Sequence, residues 1–131
     1  MKKRMKKEEL IQLIKALKIN NEEFWILSSG GLMLRGIYPD AGDLDIAVTN
    51  KGLEQLKENY DLIQKENGWY IVAEKVECIC VGDKNEQKYQ PELIDGIYVQ
   101  NINEYLEYLY SSTRDKDKKR IDLVEKYIKI R

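Results

Sequence analysis

The stretch that most constrains this chain runs over residues 28–48, Ser-Ser-Gly-Gly-Leu-Met-Leu-Arg-Gly-Ile-Tyr-Pro-Asp-Ala-Gly-Asp-Leu-Asp-Ile-Ala-Val. Gly30-Gly31 follow the apolar run Phe24-Trp25-Ile26-Leu27 and precede Leu32-Met33-Leu34. Glycines at a strand-to-helix turn permit positive φ and close approach of a ligand, and a helix start offers free N–H groups to a phosphate. Asp43-Leu44-Asp45 then opens Leu44-Asp45-Ile46-Ala47-Val48. Strand alternation sets Leu44, Ile46 and Val48 on one face and Asp43 and Asp45 together on the other. Two ionised carboxylates side by side repel, and a cation between them relieves the repulsion. Magnesium, an oxygen-seeking ion that favours phosphate-bearing substrates, suits that position.

Other chemistries are restricted by composition. The 131 residues contain no histidine, which removes the usual proton shuttle and the commonest transition-metal ligand. The two cysteines, Cys78 and Cys80, alternate along one apolar run and so share a face, a poor disulfide geometry and too few ligands for zinc. They read as small buried hydrophobes. A formal net charge of −1 gives no global bias toward nucleic acid. The length fits one domain over residues 1–131, with the basic residues 1–6 expected as a disordered tail. The segment after that tail is amphipathic and interrupted by Lys15 and Lys18, unlike a secretory signal, so the expected location is cytoplasmic and no membrane partner is expected.

Periodicity supplies the frame. Leu10, Ile11, Leu13, Ile14 and Leu17 predict an amphipathic helix over 7–18, and the run at 24–27 predicts a buried strand. A surface helix is expected over 51–59. Residues 68–74 and 75–81 are expected as neighbouring antiparallel strands, 82–90 as an exposed loop and 91–99 as a bent strand. Residues 101–110 and a capped segment from about 115 read as the last two helices, with acidic residues early and basic residues late in the second.

The combination of Ser29, Gly30 and Gly31, then Gly36, then Asp43 and Asp45, resembles the signature of the polymerase-beta-like nucleotidyltransferase superfamily. The segment 27–46 is similar to small single-domain bacterial and phage members of it, and Arg114-Asp115-Lys116-Asp117 resembles an Arg-x-Lys-Asp motif that precedes their last helix. The resemblance implies an α+β, two-layer fold with a mixed, mostly antiparallel sheet and helices packed on one face. It also implies transfer of NMP from an NTP to a hydroxyl acceptor by two magnesium (or manganese) ions, about 3.5–4 Å apart. Asp43 and Asp45 would hold the metals with a third acid from a later strand. Glu77 stands in that kind of position, where many members carry aspartate, and Glu92 and Asp95 are alternatives. Ser29, Gly30, Gly31, Arg35 and Lys116 are the expected nucleotide contacts. The acceptor, whether small molecule, tRNA or protein, is left open, as is a homodimer. A catalytically silent binding module and a component of a toxin–antitoxin system stand as alternatives to the enzyme.

Overall fold

The computed structural model describes residues 4–130. In chain order the elements are β1 (Met5–Lys6), α1 (Lys7–Ala16), β2 (Phe24–Ile26), α2 (Ser28–Leu34), β3 (Asp40–Ala41), β4 (Leu44–Val48) and α3 (Asn50–Asn59). They continue with β5 (Ile63–Gln64), β6 (Tyr70–Ala73), β7 (Val76–Cys80), β8 (Glu92–Ile94), β9 (Ile97–Val99), α4 (Ile102–Ser111) and α5 (Asp115–Ile130). The fold is α+β. Seven strands form one sheet in the order β5-β6-β7-β4-β2-β9-β8, and β1 pairs separately with β3. The sheet is mixed and mostly antiparallel, with β4/β7 and β2/β9 as its parallel pairs.

Strand alternation divides this sheet into two unlike faces. Phe24 and Ile26, Leu44, Ile46 and Val48, Val76 and Cys78, and Val99 form its apolar side. Leu10 and Ile14 of α1, Met33 and Leu34 of α2 and Leu56 of α3 complete that core. A second cluster joins α4 and α5 through Ile102, Tyr105, Leu109 and Val124, and Leu32 of α2 belongs to it. Helix α2 is therefore common to both clusters. No helix among the described residues is long and apolar enough to cross a membrane.

Three local expectations need correction. Gly30 and Gly31 do not form a turn ahead of a helix; both lie inside α2 and are buried. The left-handed residue at the β2-to-α2 junction is Ser28, with φ 52°. A Cβ on Gly30 would stand 2.9 Å from Ile26 Cγ2, and one on Gly31 would stand 3.1 Å from Val99 Cγ1. The pair thus lets α2 sit close on the sheet. The expected disordered tail 1–6 is in part a strand: β1 pairs Met5 with Ala41, and Met5 is buried because it is an apolar residue with a core to enter. Residues 1–3 lie outside the described residues. The expected bent strand at 91–99 is a hairpin of β8 and β9 turned by Asp95 and Gly96, both at positive φ, the backbone of a primed hairpin turn.

Replacing Gly30 by alanine is expected to destabilise the protein by about 1–3 kcal/mol through overpacking. The shift of the urea unfolding midpoint measures it, and an unchanged midpoint would refute the close-approach role.

Candidate active site

Asp43 and Asp45 flank Leu44 at the start of β4. Leu44 is fully buried, which fixes the register of the strand and turns Asp45 to the other face. On the next strand, in parallel pairing, Asp45 is the partner of Glu77. Parallel neighbours in register share a face, so Glu77 stands beside Asp45. Glu92 and Asp95 are elsewhere. Glu92 accepts from the Ile102 N–H at 2.9 Å and lies 3.3 Å from Arg35 Nη2, while Asp95 borders a groove with Ile14 and Phe24.

A polar cleft of about 210 Å³ opens over the two aspartates. Ser28 and Ser29 line it from the start of α2, and Gly42 lies beside Asp43. Its cationic lining comes from Arg4 next to β1 and from Arg114, Lys116 and Arg120 around the start of α5. Of the expected nucleotide contacts, Ser29 and Lys116 therefore meet the aspartates, whereas Gly30 and Gly31 pack on the sheet. Arg35 is also diverted. Its side chain is only 1% exposed, donates to Gln100 O at 3.0 Å and to Tyr127 Oη at 3.2 Å, and stacks over the Tyr127 ring. It does not line the cleft.

Burial pushes the Asp45 pKa up, and the nearby Glu77 and Asp43 push it further, while Lys65 and Lys116 partly offset them. Lys65 ion-pairs with Glu77 at 2.9 Å. Among the described residues no three acid, histidine or cysteine side chains are already gathered as a metal-ligand set. The donor chemistry nonetheless fits a hard divalent cation: all three groups are carboxylates, and a cation would neutralise the part of the Asp45 shift that Glu77 and Asp43 add to burial. Cys78 is remote from such chemistry because burial, with Cys80 adding to it, pushes its thiol up to about 11.

Asp117 supports the cationic wall. It is fully buried in the first turn of α5. Its Oδ2 accepts from Ser112 Oγ at 2.6 Å, Arg114 Nε at 2.7 Å and Tyr108 Oη at 3.4 Å. Its Oδ1 has no hydrogen-bond partner among the described residues and lies 4.0 Å from Arg120 Nη1. Burial works to raise its pKa, but the bonds from Arg114 and Ser112 outweigh that and leave it below the usual carboxylate value. Arg120 also donates to Tyr38 Oη at 3.2 Å and Tyr105 Oη at 2.9 Å.

Nothing in the sequence marked out Arg4, Lys65 and Arg120, and Asp117 had no role there beyond its place in a motif. Asp117 carried a usable signal, an aspartate in the Arg-x-Lys-Asp motif among helix-capping residues. Lys65 and Arg120 carried none, since each is one lysine or arginine among 22. Comparison of the chain with protein-family models, with curated proteins and with solved structures finds no match.

Because the folded-state pKa of Asp45 is raised, the folded protein holds its proton more tightly than the unfolded chain. The resulting stability is fully present below the ordinary aspartate value of 3.8 and lost as pH rises through the raised one. Asp45→Asn is thus expected to raise the metal-free melting temperature at pH 7 by a few degrees and to flatten its fall with rising pH. Unaltered melting curves would contradict the crowding of acids. Asp117→Ala is expected to cost about 1–2 kcal/mol through the lost hydrogen bonds from Ser112 and the half-exposed Arg114, measured by urea unfolding; a loss near zero would refute the anchor.

Proposed function

We propose that the chain is a metal-dependent nucleotidyltransferase that moves NMP from an NTP to a hydroxyl acceptor. The observation that carries this reading is a cleft lined by Asp43 and Asp45 together with four cationic side chains, with Glu77 in register beside Asp45 on the neighbouring strand. Carboxylates alone would repel a triphosphate, and cations alone would bind one without activating it. Together they define a metal side and a phosphate side.

Asp43, Asp45 and Glu77 would hold magnesium or manganese, for which Glu77 must turn from Lys65. When bound, such ions lower the pKa of an acceptor hydroxyl and neutralise charge on departing pyrophosphate. Arg114 and Lys116 bind phosphate oxygens from the other wall, and Asp117 holds the Arg114 fork in its orientation. Ser28 and Ser29 add hydroxyl contacts at the floor. The acceptor oxygen forms a bond to the α-phosphorus, the bond to the bridging oxygen breaks, and the acceptor proton leaves to solvent. Preorganised charges around the transferred group favour that transition state over the ground state.

The Lys65–Glu77 ion pair favours a second reading, a module that binds a triphosphate without transferring from it. There Lys65 stands in for the cation.

Incubation with α-labelled NTPs, magnesium and an acceptor panel of tRNA, sugars and protein is expected to give labelled product. Asp43→Asn and Asp45→Asn should each reduce it about a hundredfold or more, with the fold retained by circular dichroism. Transfer surviving both substitutions would overturn the assignment of these acids, and no transfer to any acceptor by the unsubstituted protein would count against the enzyme reading. Triphosphate binding that needs no magnesium, without any transfer, would favour the second.

A further inference from the structure

A second cavity, of about 310 Å³, adjoins the acid cleft and differs from it in character. Ser28 lines both. Leu27 forms part of the floor, and its N–H donates to Asp45 O at 2.9 Å, so the cavity abuts the acid-bearing strand. Its volume falls within the range of small-ligand sites, about 300–1,000 Å³.

Trp69 lines it from the sheet side, Tyr105 and Tyr108 from α4. Ile71 pairs with Glu77, and Trp69, two residues earlier, follows the same alternation onto the face that carries the acids. The two tyrosine rings are stacked, with centroids 5.9 Å apart and planes 14° from parallel, and Tyr108 is 44% exposed. The polar lining is Gln100 and Glu104, joined by a side-chain hydrogen bond. Gln100 is anchored at its backbone, donating to Ile26 O at 2.8 Å and accepting from Arg35 at 3.0 Å.

The two cavities have opposite electrostatic character. Four cationic side chains line the acid cleft, while among the described residues the only charged side chain lining the aromatic cavity is Glu104. A triphosphate is drawn to the first and repelled from the second. A flat ring with a hydrogen-bonding edge suits the second, because aromatic walls offer stacking and the carboxylate and amide offer acceptors.

Resting on the nucleotidyltransferase reading, we propose that this cavity holds the base of the bound nucleotide, stacked on Trp69, and selects bases with an exocyclic amine. Adenine, guanine and cytosine present an N–H₂ donor to Glu104 and Gln100. Uracil presents a carbonyl oxygen there, which the Glu104 carboxylate repels. Burial raises the Glu104 pKa, in keeping with a carboxyl withdrawn from solvent.

Isothermal titration in magnesium with non-hydrolysable ATP and UTP analogues and with inorganic tripolyphosphate tests this. The ATP analogue is expected to bind about tenfold tighter than the other two, one stacking and hydrogen-bonding increment. Trp69→Leu should erase that tenfold and leave tripolyphosphate binding unchanged, Trp69→Phe should retain most of it, and Glu104→Gln should narrow the ATP-to-UTP ratio. Thermal melts confirm that each variant is folded. Equal binding of all three ligands, or ATP binding indifferent to Trp69→Leu, overturns the base subsite and leaves the phosphate and metal reading standing. Trp69-dependent ATP binding with no affinity for tripolyphosphate supports the subsite and overturns the phosphate cleft. Binding of none of the three overturns both.

Discussion

The close seating of α2 on the sheet is the contact on which the rest of this structure depends. Gly30 faces Ile26 at a distance that a methyl group would violate, with Leu10 and Leu44 in van der Waals reach around it. From that position α2 sends Met33 and Leu34 into the sheet core and Leu32 into the α4–α5 cluster. One seven-residue helix thus links two hydrophobic clusters. Its first residues, Ser28 and Ser29, are carried to the cleft by the same seating. Burial of the helix keeps the serines, the β4 aspartates and the start of α5 in fixed relation.

Electrostatics within that frame is arranged by opposition. Asp43, Asp45 and Glu77 occupy neighbouring strands, and Arg114, Lys116 and Arg120 face the aspartates from α5 and its approach. A net charge near zero conceals this local separation. Asp117 anchors the cationic wall, since a buried carboxylate needs hydrogen-bond donors and takes them from Arg114 and Ser112. Arg120 extends the lattice to Tyr38 and Tyr105, which ties the cationic wall to the loop after α2 and to α4.

Much of the local structure was legible because short-range periodicity governs it. The α1 stripe, the β4 alternation and the antiparallel β6–β7 pair follow from apolar spacing, and their ends fall within a few residues of expectation. Expectation failed where two readings share one local sequence. Gly-Gly after a strand serves equally as a turn or as a packing surface, and only the presence of Ile26 and Val99 opposite decides. Arg35 read as a phosphate contact or a solvated surface residue and is neither: the backbone carbonyl of Gln100 and the ring of Tyr127 claimed it. Met5 sits in a basic stretch that reads as a tail, yet one apolar side chain with a place in the core was enough to fix a strand.

By itself the sequence determined the α+β class, the pairing of Asp43 and Asp45 on one strand face, and the exclusion of histidine chemistry. Those follow from alternation and composition, which need no distant partner. The tertiary structure alone decided that Glu77, rather than Glu92 or Asp95, stands next to Asp45. It alone decided that Lys65 pairs with Glu77, and that Arg4 and Arg120 join the cleft. The reason is sheet topology: β7 lies beside β4 in parallel register while β8 is separated from it by β2 and β9, and no local spacing encodes which strands become neighbours.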